Sequence, residues 1–284
     1  MGIPKDCTFV MNRGISTPYD CARHLSEWHM DSSALAVIDG TNYWDMHRPL
    51  HDNCTLELQT FTSEQPQQVN KAYWRTCSFL LGACALTAFK DSVPVILHSF
   101  PGPEIHSGSF VYDIDLPSLP DWQPSKQELM TLAAEYVKIC RRNLLIERLE
   151  VSEELAKEMF IDNKYKHKQI PDIARNNVNG KVVLYRAGQH VDISKGPMVS
   201  STGQVGRVNI ASIHKLEGSI NGEESHLYRF QGVSLPRSIM LNHFAYNILV
   251  DRAKKLNRAR LPTKQSAQEE SIPDQETQTL AAQA

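Results

Sequence analysis

"VDISKGPMVSSTG", residues 191–203, is the stretch on which the reading of this chain turns. Val191 and Ile193 open it as a strand. Gly196 and Pro197 side by side then set a tight turn, and Ser200, Ser201, Thr202 and Gly203 close it with the small residues that suit a loop lining a site. Yet its centre holds Ser194, Lys195 and Met198. These make neither a metal site nor a nucleophile with a base. The loop is shaped to surround chemistry that it does not carry.

Working outward, residues 8–62 read as one small unit. "TFVMN" predicts a strand. Thr17 can N-cap a helix with Pro18 in its first turn, and Cys21, Leu25 and Trp28 give that helix an apolar stripe. "ALAVIDG" predicts a buried strand and "CTLELQTF" a half-buried one. Strands around one helix suggest a β-grasp module. "TSEQPQQ" follows as a polar linker.

The second unit spans 69–235. Trp74, Cys77, Leu81, Cys84, Ala85 and Ala88 recur at helical spacing, "SFVYDIDL" predicts a strand, and Ser125 with Glu128 forms a capping box. "LLIERLEV", a short helix capped by Ser152, "KVVLYRAG", "RVNIASIHKLE" and "HLYRFQGVSLP" complete an α+β pattern. A helix is predicted over 236–262, with Leu241, Phe244, Ala245, Ile248 and Leu249 as its apolar face. Arg252, Lys254, Lys255, Arg258 and Arg260 make its end basic. Two readings of that end stand: contacts to RNA phosphates, or a solvated helix end whose cations favour the C-terminal dipole. Residues 265–284 are polar and acidic and read as a disordered tail.

Composition narrows the function. The 284 residues carry a net charge of −2, which argues against a surface that coats nucleic acid over its whole extent. No apolar run reaches membrane-spanning length, and the first residues show neither a signal-peptide nor a transit-peptide pattern. The six cysteines include no C-x-x-C, so they read as small buried hydrophobes in a reducing compartment. Neither His47/His51 nor His98/His106 has a ligand partner at a standard spacing, so no metal or other cofactor is expected. Asp113 and Asp115 share a strand face, read here as a solvated face.

The order of these elements carries a resemblance. "AYWRTCSFLLGACALTAFKD", then "SGSFVYDIDL", then "VLYRAGQHVDISKGPMVSSTG" follow the β-grasp unit. This resembles the N-terminal half of threonyl-tRNA synthetases, in which a TGS domain precedes a tRNA-editing domain shared with alanyl-tRNA editing proteins. The family's helix reads W-H-S-S-A-H and its loop D-x-C-R-G-P-H-x-P-x-T-G. Aligned on Trp74, the two helix histidines fall on Arg75 and Phe79, the loop cysteine on Ser194 and the loop histidine on Met198. A charged Arg cannot ligate a metal, Phe has no lone pair, Ser is a poor zinc ligand and a thioether prefers softer ions. Asp192, Gly196, Pro197, Thr202 and Gly203 remain as the frame of the turn.

No aminoacylation core follows residue 235, and the chain resembles synthetase-derived subunits of the mitochondrial large ribosomal subunit. "FVMN", "ISTPY", "HLSEW", "NKAYWR" and "RFQGVSLP" carry that likeness. It implies a non-catalytic structural role in the mitochondrial matrix, with ribosomal proteins and large-subunit rRNA as partners and neither a membrane nor a small-molecule substrate. The alternative is a trans-acting tRNA-binding or tRNA-editing protein. On this reading the C-terminal helix is an added anchor, and the two domains should stay folded without it.

Overall fold

The structure, a computed structural model, describes residues 7–216 and 226–261, with a short strand pair at 219–220 and 223–224 between them. The expected acidic tail at 265–284 lies outside the described residues. The fold is α+β.

Helix α1, Pro18–Leu25, starts where Thr17 and Asp20 close a capping box around Pro18. It stops at Ser26, which turns extended and N-caps α2, Glu27–Ser32, by accepting the His29 amide. This break takes Trp28 off the predicted stripe and leaves it 63% exposed. Strands β1 (Leu35–Ile38), β2 (Asn42–Trp44) and β3 (Leu56–Gln59) form an antiparallel sheet in the order β2-β1-β3. The predicted strand in "TFVMN" does not form. Its apolar side chains Phe9 and Val10 are exposed, and β propensity without a partner edge is too weak to hold a strand.

The larger unit is built on α3, Gln67–Ala88, whose interior is buried almost throughout. Strands β4 (Ile96–Ser99), β5 (Phe110–Asp115), β9 (Val205–Lys215) and β12 (Leu227–Pro236) form an antiparallel sheet ordered β4-β5-β12-β9. Helix α3 lies so close to it that a side chain at Gly82 would come within 2.6 Å of the Tyr112 ring. Helix α4, Lys126–Arg141, begins at the predicted Ser125–Glu128 box and packs beside α3. One core joins these elements to Ala34, Leu35 and Phe61 of the N-terminal unit. A second sheet, β6 (Glu147–Val151), β7 (Val182–Ala187) and β8 (His190–Ile193), carries α5 (Glu153–Met159) and α6 (Lys164–Asn176). The antiparallel pair β10 (Ser219–Ile220) and β11 (Glu223–Glu224) comes between β9 and β12 in chain order.

The C-terminal prediction needs correction in length and phase. Helix α7 runs only from His243 to Ala253, capped by Asn242. It buries Tyr246 and Ala253 and packs Leu249 and Val250, while Leu241, Phe244 and Ile248 of the predicted stripe are exposed. Tyr246 is the residue the apolar count missed; its ring is buried under the Arg207 guanidinium, 3.9 Å from the ring centre. Residues 254–261 leave the helix and run as a strap across β12.

The strap is held from below. Arg229 is fully buried on β12, pairs with Asp113 through two bonds of 2.7 and 2.8 Å, and donates to the Asn257 and Ala259 carbonyls. Gln231 donates to the Ala253 and Lys255 carbonyls and accepts from the Asn257 amide. The Asn257 side chain donates to the Ser109 carbonyl at 2.9 Å. Asp113 and Asp115 are therefore not a solvated face. Both are buried, Asp113 on Arg229 and Asp115 accepting from Tyr165, because β5 is an interior strand with the strap and α6 over it.

Candidate functional site

The structure sets α3, which holds Arg75 and Phe79, against the loop that holds Ser194 and Met198. Arg75 and Phe79, four apart on α3, share one face of that helix. The 194–198 loop leaves β8 and comes back against it, through a cis Gly196–Pro197 bond. Arg75 Nη1 donates to the Pro197 carbonyl at 2.7 Å. Phe79 is fully buried, its ring centre 4.6 Å from that of His190. Met198 is 1% exposed and Ser194 is 8% exposed. These side chains pack the site, and Arg75 adds a hydrogen bond from helix to loop.

The loop is fastened through several of its amides. Ser194 N bonds the Val183 carbonyl, Val199 N the Thr76 hydroxyl and Thr202 N the Leu144 carbonyl. Met198 N donates to Asp45 Oδ1 at 2.9 Å, and Asp45 also accepts from the Tyr185 hydroxyl. Asp45 belongs to the N-terminal unit, so that unit reaches into the loop and helps close it. Burial raises the Asp45 pKa, while the Met198 amide and Tyr185 hydroxyl oppose the rise. Gly196 sits at φ +70°, and a side chain there would overlap the Tyr185 hydroxyl, so the turn needs glycine.

Beneath the loop lies a buried polar cluster. Lys166 Nζ on α6 is 2.5 Å from Asp192 Oδ1, and the Tyr112 hydroxyl both donates to Asp192 and accepts from Lys166 at 3.1 Å. All three are 3% exposed or less. Of the cluster, only Asp192 was legible, as part of the frame. Lys166 was missed because "KYKHKQIPDIARN" is polar and holds Pro171, which masks helical periodicity. Asn163, which caps α6 by accepting the Tyr165 and Lys166 amides, was the available signal.

What this arrangement can do follows from its groups. Ser194 Oγ accepts from the Gly196 amide at 3.4 Å. Among the described residues, no three His, Cys, Asp or Glu side chains gather as metal ligands do. The buried thiols Cys84 and Cys140 are pushed up to about 12 by burial, far from the thiolate that attacks or ligates.

His98 lies beside this cluster, bonded to Ser99 and with its ring tilted against that of Tyr165. Burial, with Lys166 nearby, lowers its pKa from 6.5 to about 4. Between those values the unfolded chain takes up a proton that the folded chain refuses, so stability falls as pH falls through that window. Going from pH 7 to pH 5 should cost about 2 kcal/mol through this residue alone. Urea melts at both pH values should show a smaller difference in His98→Gln than in the parent; equal differences would refute the assignment.

The basic residues predicted to act together are divided. Arg252, in the last turn of α7, donates to the His106 carbonyl and lies against Gly108. Lys254 pairs with Asp251 at 2.7 Å. Arg258 and Arg260 lie farther along the strap, near Arg75 and Lys195. The end of a regular helix does not exist beyond Ala253, so neither a single basic face nor a helix-dipole effect unites the five.

No family model matches the chain. It is 51% identical over 272 residues, 96% of this chain and 80% of the relative, to large ribosomal subunit protein mL39 of Drosophila melanogaster. It is 33% identical over 80% of its length to human cytoplasmic threonine–tRNA ligase 2, of which the match spans 26%. It is also 33% identical over 71% of its length to the threonine–tRNA ligase of Thermotoga maritima, of which it spans 29%. The resemblance to threonyl-tRNA synthetases therefore holds over the part of the chain that builds the packed site, and the chain as a whole belongs to the family of large ribosomal subunit protein mL39.

Proposed function

We propose that the chain is a non-catalytic structural component of the large subunit of the mitochondrial ribosome, working in the matrix. The observation that carries this is the 51% identity to protein mL39 across nearly the whole chain. The site supports the non-catalytic part. Arg75, Phe79, Ser194 and Met198 occupy positions where the synthetase family's reactive groups fall, and three of them are packed below 9% exposure. In this reading residues 8–62 descend from a TGS domain and 69–235 from an editing domain. Its neighbours are ribosomal proteins and large-subunit rRNA. Exposed Met240, Leu241, Phe244 and Ile248 around the start of α7 suit a protein neighbour.

Gradient fractionation of mitochondrial lysate tests the assignment: the protein should sediment with the large subunit, and recovery in the soluble pool would overturn it. A second measurement tests the absence of catalysis. The purified chain should hold no stoichiometric zinc and should not deacylate seryl-tRNA(Thr) above the uncatalysed rate, since losing groups that position and activate water costs orders of magnitude. Turnover that tracks protein through repurification would refute it.

A further inference from the structure

Arg75 also lines a surface cleft of about 590 Å³, together with Lys71, Lys195, Arg258 and Arg260. Among the described lining residues Glu104 is the single carboxylate. None of the five cations joins an ion pair among the described residues. Five positive groups against one negative is a marked local excess in a chain whose net charge is −2.

The excess is built by the fold. Lys71 and Arg75 are one turn apart on α3, Lys195 stands at the head of the Gly196–Pro197 turn, and Arg258 and Arg260 come from the strap. Arg229 holds the carbonyls of Asn257 and Ala259, on either side of Arg258. Asn257 is buried and Ala259 half-buried, whereas Arg258 and Arg260 are exposed. The buried network thus fixes the strap backbone and turns its two guanidiniums outward. Like charges gathered on a fixed backbone repel one another, and an anion between them removes that cost.

We propose that this cleft binds the phosphodiester backbone of an RNA strand. The inference rests on the ribosomal reading above. Three guanidiniums match phosphate oxygens with paired donors, and two ammoniums add point charges. No aromatic ring is among the described lining residues, so the cleft offers no platform for base stacking. Recognition is therefore of the backbone and independent of sequence. The polar mouth of the former editing site has become an anion seat, with Arg75 shared between loop and cleft.

The test uses the purified full chain and short labelled single-stranded RNA oligonucleotides of differing sequence, with anisotropy read over a salt series. The parent should bind all of them alike. The variant K71Q/K195Q/R258Q/R260Q changes only exposed side chains, leaves Arg75 on Pro197, and should melt like the parent. Each cation removed from a single-strand contact lowers the slope of log K against log salt by about 0.7, so the variant's slope should fall by roughly 3. Affinity at low salt should drop about 100-fold or more. The control K254Q/K255Q, on the other end of the strap, should change neither. Equal binding by the quadruple variant would overturn the proposal, as would displacement of RNA by polyglutamate at equal charge, which would assign the cleft to an acidic protein. A parent chain that sediments with the large subunit yet binds no oligonucleotide would overturn the cleft and leave the ribosomal reading intact. Cleft-dependent binding by a chain absent from ribosomal fractions would do the reverse.

Discussion

Asp113→Ala should destabilise the chain by about 3–5 kcal/mol, the cost of leaving one member of a buried ion pair alone. Arg229 is fully buried and Asp113 is 1% exposed, and their two bonds form a fork of 2.7 and 2.8 Å. With Asp113 gone, the guanidinium keeps its charge and the strap carbonyls but has no counter-charge. Burial already raises the Asp113 pKa against the opposing pull of Arg229, a sign of how dry the site is. Asp113→Asn, which keeps an acceptor oxygen for the guanidinium but no charge, should lose less than D113A, because Arg229 then keeps a hydrogen bond at that position. Urea denaturation of the three chains decides. A loss below roughly 1 kcal/mol for D113A would mean that solvent reaches Arg229 and the pair is a surface one.

Truncation after Ala253 should destabilise the larger unit as well. The sequence reading made the C-terminal segment an anchor added to finished domains, so its loss was expected to leave them folded. The structure reverses this. Arg229 would lose the Asn257 and Ala259 carbonyls, and Gln231 would lose the Lys255 carbonyl and the Asn257 amide. Hydrogen bonds to a charged group contribute about 1.5–3 kcal/mol each, and the donors would be left part-buried. A fall in melting temperature of about 10 °C or more is expected for a unit of this size. A truncated chain that melts like the parent would show that water replaces the strap at no cost. The same experiment cautions against reading loss of ribosome attachment in such a truncation as loss of an anchor.

The reasons for hits and misses are physical. Strand β12 was legible in "HLYRFQGVSLP" because strands alternate in sequence, and α1 and α4 because their capping boxes are local. The site loop was legible because Gly196 and Pro197 act on their own backbone. Arg229 was invisible in its role. It sits in a strand of apolar neighbours, and its partners Asp113 and Asn257 lie 116 and 28 residues away. Asp45 was missed for the same reason, since nothing near it announces a bond to an amide at 198. The C-terminal helix was overextended because Arg258 and Arg260 continue a helical composition, while the contacts that straighten 254–261 come from β12 below it. The apolar stripe was misphased because the count favoured aliphatic residues and Phe244, whereas the buried position went to Tyr246, whose hydroxyl bonds the Arg207 and Val233 carbonyls.

The strap has a consequence in time. Its residues are the last of the described chain to be made, yet they supply acceptors to a charge buried in a central strand. During synthesis the N-terminal unit, α3 and the second sheet can form as they emerge. The β4-β5-β12-β9 sheet can pair but not finish: until residues 257–260 arrive, Arg229 has its carboxylate but lacks two of its carbonyl acceptors. The maturing chain therefore passes through a stage in which the sheet is assembled but unsealed, and the cleft gains Arg258 and Arg260 only when the strap is laid down.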